Sequence, residues 1–93
     1  MASVESGAAA PLAVSVLYFA ALRDLAGTGE EQVRLPTLPT SVTALLAVLE
    51  ARHGALAGRL TSVRVAVNEE FTEGSHELRG GEVVALIPPV SGG

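Results

Sequence analysis

The sequence predicts an α+β fold in which a mixed β-sheet is crossed by one main helix. Three observations support this class. Five segments have strand-like composition, a single segment has a long helical apolar stripe, and the last strand-like segment runs directly into the final residues. The 93 residues suffice for one domain with one core. Because the chain has only one Tyr, two Phe and no Trp, that core must consist mainly of Val, Leu, Ile and Ala.

The first two strands are expected to pair with each other. Residues 13–19 are rich in β-branched and aromatic side chains, and residues 31–35 alternate polar and apolar side chains. Between them, residues 20–26 suit a short helix, which Gly27 would close in a left-handed conformation. Pro36 and Pro39 then bracket a loop.

The main helix is predicted over residues 41–53. Apolar side chains repeat there with helical spacing at Val42, Leu45, Leu46 and Leu49. Thr40 or Ser41 can cap the N-terminus, and Gly54 is expected to end the helix. His53 would then lie where a cation suits the helix dipole. Since the apolar stripe is one face wide, the helix is expected to cover one face of the sheet.

The remaining strands follow this helix. Residues 55–60 suit a turn or short helix, residues 63–67 alternate as a strand, and Asn68-Glu69 is a candidate turn into a further short strand. Gly80-Gly81 marks a tight turn before the last strand at residues 82–87. This order of elements is that of the β-grasp, the ubiquitin architecture, in which the first and last strands lie side by side.

The first and last strands carry apolar side chains at both alternating positions. In the first strand, for example, Val16 and Tyr18 alternate with Leu17 and Phe19. One helix covers only one sheet face, so the other face is either buried by loops or left as an exposed apolar patch. Such a patch usually marks an interaction site. For any single residue of these strands, a place in the core is the default expectation.

The composition restricts the chemistry available to the chain. It has no cysteine, hence no disulfide, thiolate nucleophile or Cys-ligated metal. All six basic residues are arginine, so neither a lysine Schiff base nor a Walker-type phosphate loop is available. His53 and His76 are far apart and form no recognisable ligand pair. The net charge of −4 argues against nucleic acid as a partner. We therefore expect no metal site, no bound cofactor and no independent catalytic centre.

The domain is expected to span residues 12–93, with less ordered segments at both ends. Residues 1–11 include Glu5 and no basic residue, unlike a signal or transit peptide, and are expected to form a disordered leader. Pro88 and Pro89 would end the last strand, leaving residues 88–93 as a flexible tail. No apolar run is long enough to span a bilayer, so we expect a cytosolic protein without membrane contact.

The final six residues, Pro88-Pro89-Val90-Ser91-Gly92-Gly93, suggest chemistry at the end of the chain. Glycine lacks a Cβ atom, so such a tail can enter a channel too narrow for other residues. Fully extended, six residues reach roughly 20 Å, far enough to enter the active site of a neighbouring protein.

Several segments resemble the small, sulfur-carrying subunit family of molybdopterin synthase. The matching segments are residues 16–20 with Arg23, residues 49–53, residues 65–71 and residues 82–93. The most specific is the last one, because Pro-Pro-Val-Ser-Gly-Gly follows directly on a strand. Gly81 is a departure, since the family usually has an acidic residue there, and residues 1–11 fall outside the resemblance.

The resemblance implies a sulfur carrier of molybdenum cofactor biosynthesis, not a stand-alone enzyme. The carboxylate of Gly93 would be adenylated by an ATP-using activating enzyme and converted to a thiocarboxylate. It would then donate sulfur to cyclic pyranopterin monophosphate in the active site of the large synthase subunit. ATP would be used by the activating enzyme, with no cofactor bound by this chain. The family also implies a heterotetramer of two small and two large subunits.

The same resemblance implies where the large subunit makes contact. Its surface is expected to meet the end of the first strand, the end of the last strand and the tail. The residues concerned are Phe19, Arg23, Ile87, Pro88, Pro89, Val90, Ser91 and Gly92.

Two alternatives stay open. Another β-grasp sulfur carrier, serving thiazole or tRNA thiolation, would also end in Gly-Gly but lacks the Ile-Pro-Pro-Val-Ser run. A ubiquitin-like modifier would instead join Gly93 to partner lysines through amide bonds.

Overall fold

A computed structural model describes residues 13–35 and 37–89. The predicted leader at residues 1–11, Pro36 of the predicted loop, and residues 90–93 of the predicted tail lie outside the described residues. In chain order the elements are β1 (Ala13–Tyr18), α1 (Ala21–Ala26), β2 (Glu30–Arg34), β3 (Thr40–Ser41), α2 (Val42–Arg52), a 3₁₀ helix (Gly54–Leu56), β4 (Arg64–Val67), β5 (Glu70–Thr72), β6 (Glu77–Leu78) and β7 (Val83–Ile87).

The first and last strands form the middle of the main sheet. The described residues build a five-stranded sheet in the order β2-β1-β7-β4-β5 and a separate two-stranded sheet of β3 and β6. β1 and β7 run parallel, with Val16 opposite Val84. β2 pairs antiparallel with β1, and β4 pairs antiparallel with β7. The predicted β-grasp arrangement is confirmed. The β3–β6 pair was not predicted, because a strand of only two residues is too short to show a periodic pattern.

Helix α2 covers one face of this sheet. Val42, Leu45 and Leu49 are buried, whereas Leu46 at the margin of the stripe is only partly buried. They pack with the inward-facing residues of β1, β2, β4 and β7, which include Val14, Val16, Tyr18, Val33, Val65, Val67, Val84 and Leu86. Burying a Val or Leu side chain contributes about 1.5–3 kcal/mol, so this layer is the main source of stability.

The ends of α2 differ in how well the sequence predicts them. Ser41 is the N-cap, and its Oγ accepts a hydrogen bond from the Ala44 N–H at 3.0 Å. At the other end, the expectation that Gly54 ends the helix is wrong by one residue. The helix ends at Arg52 because His53 already has extended backbone angles, and Gly54 instead begins the 3₁₀ helix.

The predicted Asn68-Glu69 turn is present and is tied to the central strand. Both residues have positive φ, 51° and 72°, as a two-residue hairpin between β4 and β5 requires. The Asn68 Oδ1 accepts a hydrogen bond from the Val83 N–H at 2.9 Å. The Asn68 N–H donates to the Val83 carbonyl at 2.8 Å. The hairpin therefore holds the start of β7 in place.

The turn before β7 is built by two glycines and a carboxylate. Gly80 and Gly81 have φ of 109° and 88°, a region that favours glycine. The Glu82 carboxylate accepts hydrogen bonds from the N–H groups of Arg79 and Gly80, both at 2.7 Å. Gly81, which departs from the family pattern, thus suits the conformation that this turn adopts.

Candidate functional site

The base of the predicted tail lies at one end of the central strand pair. In β7, Leu86 lies opposite Tyr18 of β1 and Ile87 lies opposite Arg64 of β4. Strand pairing ends at Ile87, and Pro88, which follows, is half-buried. Proline has no N–H to donate to a sheet, which accounts for the end of the strand. The chain therefore leaves the sheet from its middle, not from an edge.

The next residue, Pro89, is exposed and is the last one described. Val90, Ser91, Gly92 and Gly93, which the sequence assigns to the tail and its contacts, lie outside the described residues. Their roles stay predictions.

One of the predicted contact residues, Phe19, meets the end of β7 at a strained turn. The Phe19 N–H donates to the Leu86 carbonyl at 3.3 Å, which places Phe19 beside the base of the tail. Ala20, the next residue, has φ 53° and ψ −132°, unusual for a residue with a side chain. Such a conformation costs about 1–3 kcal/mol and is found most often at functional sites. The turn leaves Phe19 with 41 % of its surface exposed.

Arg23 lies one helical turn beyond Phe19 and is exposed. Its side chain lies over Gly29, where an added Cβ atom would come within 3.3 Å of the Arg23 Nε. The structure brings Phe19 next to Ile87 and Pro88 at the end of β7, whereas the Arg23 side chain lies over Gly29, on the β2 side of β1.

The sheet face opposite α2 carries apolar side chains that no element covers within the described residues. Register places Leu17, Ala85, Ala66 and Phe71 in one row across β1, β7, β4 and β5. Phe71 is 58 % exposed and Val83 is 40 % exposed. We call this surface the open face and define it as Leu17, Phe19, Ala66, Phe71, Val83, Ala85 and Ile87, of which Ala66 is buried between its neighbours and Leu17, Ala85 and Ile87 are half-buried. A contiguous apolar surface of this kind usually marks an interaction site.

Sequence reasoning missed part of this surface. Phe71 and Val83 were not among the predicted contact residues, and neither was Arg64, which flanks the open face. These three residues lie on or beside the open face because strand register determines on which side of the sheet a side chain lies and which residues are its neighbours. One signal was available: Phe71 is one of only three aromatic residues, and it lies between polar neighbours in a short strand.

A polar cluster lies on the helix side of β1, directly before Phe19. The Tyr18 hydroxyl donates to Glu31 Oε2 at 2.6 Å, and His53 Nε2 lies 2.7 Å from the same oxygen. Arg52 lies 3.6 Å from Glu31 Oε1, and the Tyr18 and His53 rings meet edge to face. His53, expected to complement the helix dipole, thus also links the end of α2 to β2.

These contacts shift two pKa values in opposite directions. Burial raises the pKa of Tyr18 well above its ordinary value, and the hydrogen bond to Glu31 adds to the rise. Burial also raises the pKa of Glu31, but the hydrogen bonds from Tyr18 and His53 and the charges of His53 and Arg52 outweigh it. The net effect lowers the Glu31 pKa below its ordinary value. The Glu31 carboxylate is therefore an anionic hub joining β1, β2 and α2.

Replacing Glu31 by Gln should make the free energy of unfolding depend less on pH in the acid range. Because the folded-state pKa of Glu31 is depressed, its contribution is complete above the unfolded carboxyl pKa of about 4.3. It is lost as pH falls through the folded value. We expect Glu31→Gln to lower the free energy of unfolding by about 1–2 kcal/mol at neutral pH. The difference from the parent should shrink below about pH 4.

Denaturant unfolding across this pH range measures the effect. Glu77→Gln is the matched control, since Glu77 pairs with Arg79 at 2.9 Å between side chains 55 % and 73 % exposed. It should change stability by less than about 0.5 kcal/mol at any pH. Parallel curves for the parent and Glu31→Gln would contradict the assignment of Glu31 as the hub.

Two further features of the described residues bear on function. In the described part of the chain, no three His, Asp or Glu side chains group closely enough to hold a metal ion. Within the same residues, none of the helices has the length and apolar character to cross a membrane.

Comparison with known proteins decides the family. The sequence model of the ThiS family matches residues 16–93. The chain belongs to the ThiS family. The resemblance stated from the sequence is confirmed, because several relatives in this family are named molybdopterin synthase sulfur carrier subunit. The protein of that name from Chlamydomonas reinhardtii is 37 % identical over 82 residues, covering 86 % of this chain and 98 % of the relative. The Homo sapiens protein is 34 % identical over 83 residues, covering 86 % and 93 %.

Solved structures of ThiS-like proteins share the fold. A Pyrococcus furiosus protein, provisionally described as molybdopterin converting factor subunit 1, superposes with a TM-score of 0.76 at 33 % identity. The match covers 85 % of this chain and 99 % of that one. SAMP1 from Haloferax volcanii superposes with a TM-score of 0.79 at 28 % identity, covering 87 % and 99 %. The β-grasp architecture is therefore shared with both.

Proposed function

We propose that this ThiS-family chain is the sulfur carrier of molybdopterin synthase. The observation that carries the proposal is the position of β7. This central strand delivers its C-terminal end beside an exposed apolar face, so docking through that face would hold the tail at a defined place on a partner. Relatives at 31–38 % identity are named molybdopterin synthase sulfur carrier subunit, and this name is the basis for the proposed pathway.

The proposed chemistry takes place at the carboxylate of Gly93. A carboxylate at neutral pH is a poor electrophile, so an ATP-using enzyme would first join it to AMP with loss of pyrophosphate. A sulfur nucleophile would then attack the carbonyl carbon and expel AMP, leaving a thiocarboxylate. Because this sulfur is held on the main chain, a protein without cysteine can carry it.

The proposed partner in sulfur release is the large synthase subunit. The thiocarboxylate is a soft nucleophile and would transfer sulfur to cyclic pyranopterin monophosphate there. The large subunit would supply the substrate pocket and the acid–base groups, so this chain would be a subunit of an enzyme and not an enzyme alone. We further propose an assembly of two small and two large subunits in the cytosol. A Helicobacter pylori structure of the same fold contains subunits 1 and 2 of molybdopterin-converting factor in complex.

A second candidate function is protein modification. SAMP1 of Haloferax volcanii, the structural neighbour described above, is a small archaeal modifier protein. In that case Gly93 would form an amide bond with a lysine of a target protein instead of receiving sulfur. Both functions begin with the same activation step and differ in the nucleophile that follows.

Intact mass spectrometry tests the proposal. The chain is incubated with a cognate adenylating enzyme, ATP and a sulfur source, and then treated with a sulfur-selective alkylating probe. We expect a mass gain that corresponds to one sulfur in place of one oxygen, followed by one alkylation at Gly93. Amide-linked adducts on partner lysines without any sulfur gain would favour the modifier function and contradict the carrier.

A further inference from the structure

Arg64 and Phe71 form a stacked pair next to the base of the tail. The Arg64 Cζ lies 4.1 Å from the centre of the Phe71 ring. Both residues are exposed, and they come from the neighbouring strands β4 and β5. A guanidinium over an aromatic face is attracted to the ring, and its planar shape keeps its N–H groups directed outward at the ring's margin. The pair therefore presents an oriented cation instead of a freely moving one.

The charge of Arg64 has no counter-ion among the described residues. The ion pairs formed there join Arg52 to Glu31 and Arg79 to Glu77, and His53 Nε2 also contacts Glu31. Arg64 and Phe71 also line a cleft of about 380 Å³ together with Glu73, to which Arg64 makes no ion pair. An arginine with free, fixed N–H donors can bind a carboxylate through two parallel hydrogen bonds, and Asp and Glu side chains are the carboxylates that a protein partner supplies.

The position of this charge bears on how the open face is oriented against a partner. Apolar contact is non-directional, so the row from Leu17 to Phe71 does not by itself select one orientation. Charges at the margin of an interface do select one, because a mismatch is costly. Here Glu30 lies opposite Leu17 at the β2 edge, and Arg64 lies opposite Ile87 at the tail's base. Arg34, opposite Ala13, adds a positive charge at the β2 edge, so what marks the tail end of the open face is Arg64, directly opposite the last residue of β7.

We propose that Arg64, held on Phe71, is an orientation contact that receives an Asp or Glu carboxylate of the large subunit. The proposal rests on the proposed function, since it names a specific contact of the docking surface. This contact would align the tail with the partner's channel, because Arg64 lies directly opposite Ile87, the last residue of β7. Arg64 is a positioning residue and takes no part in the chemistry at Gly93.

The first test compares affinities for the purified large subunit. Arg64→Gln removes the charge, and Arg59→Gln is the control, since Arg59 is an exposed arginine outside the open face. We expect Arg64→Gln to weaken binding at least about tenfold, whereas Arg59→Gln should stay within about twofold. The affinity of the parent should fall with added salt more steeply than that of Arg64→Gln. Equal affinities and equal salt dependence for parent and Arg64→Gln would overturn the proposal.

A second test uses the absence of lysine from the sequence. Arg64→Lys retains the charge and introduces the single side-chain amine of the chain. A carbodiimide reagent joins an amine to a carboxylate in direct contact, so the complex should yield a crosslink between residue 64 and an acidic residue of the large subunit. Peptide mapping identifies both residues, and Arg59→Lys should give no such crosslink. Binding by Arg64→Lys without a crosslink at residue 64 would overturn the proposal.

The two tests separate this inference from the function on which it rests. If the parent gains sulfur and binds the large subunit but Arg64→Gln does both equally well, the orientation contact is wrong and the carrier function stands. If the parent neither gains sulfur nor binds the large subunit, the carrier function fails and the inference fails with it.

Discussion

Removal of Gly93 is expected to abolish sulfur loading and product formation while leaving the folded domain intact. The deletion shifts the terminal carboxylate by roughly 3.5 Å along an extended tail. A misplacement of about 1 Å can already cost a hundredfold in rate when reacting groups must align. Adding one residue after Gly93 should have the same effect, because the carboxylate moves by a similar distance in the other direction.

Substitution at Gly92 tests the same geometry without changing the tail length. A Cβ atom adds bulk beside the reacting carbon and removes the conformations with positive φ. Gly92→Val should therefore also prevent activation. The Gly92→Val variant and the chain without Gly93 should unfold like the parent and should still bind the large subunit through the open face, since the sequence assigns both residues to the tail beyond the last strand.

The measurements are the intact mass after activation and the conversion of pyranopterin by the reconstituted complex. Deletion of Ala2, at the opposite end of the chain, is a length-matched control and should leave both unchanged. A chain without Gly93 that still gained sulfur and made product would refute the carrier function.

Phe19→Ala is expected to weaken binding to the large subunit by about 2 kcal/mol, roughly thirtyfold. Phe19 lies at the corner where β1, the end of β7 and α1 meet. Its exposed fraction of 41 % gives a partner a large apolar area to bury. Aromatic side chains near the centre of an interface are frequent hot spots. Since part of the ring is already solvent-exposed, the loss of folding stability should be smaller than for a buried aromatic residue.

Two measurements separate an interface role from a core role. Denaturant unfolding reports stability, and titration with the large subunit reports affinity. Val48→Ala is the control, because Val48 packs partly against the core from α2, on the other side of the sheet. It should lower stability without changing affinity. If Phe19→Ala behaves as Val48→Ala is expected to, Phe19 belongs to the core and not to the interface.

The sequence predicted those parts of the fold that have a local signal. The apolar stripe of α2, the alternation in β4 and the positive-φ turn at Asn68-Glu69 each depend on residues close in the chain. The end of α2 was misplaced because His53 departs from helical geometry one residue before Gly54. The β3–β6 pair escaped prediction because each strand has two residues and its partner is distant in sequence.

The candidate site was predicted only in part, for a similar reason. Phe19, Arg23, Ile87, Pro88 and Pro89 came from resemblance, and the structure places Phe19 beside the end of β7 but the Arg23 side chain over Gly29. Strand register determines the rest of the surface. Phe71 joins the open face because Ala66 lies opposite it, and Ala66 in turn lies opposite Ala85. Such a chain of neighbours spans three strands and leaves no pattern within any one of them.

The sequence by itself determined the β-grasp order of elements and, through its resemblance to known sulfur carriers, the family. Those properties depend on residue type and local spacing, which a linear sequence contains. Only the tertiary structure decided which of the two apolar faces of β1 and β7 is buried. Val16 and Val84 lie under α2, whereas Leu17 and Ala85 face outward. The reason is physical: both faces of these strands are apolar, so neither is preferred until the single helix packs against one and leaves the other open.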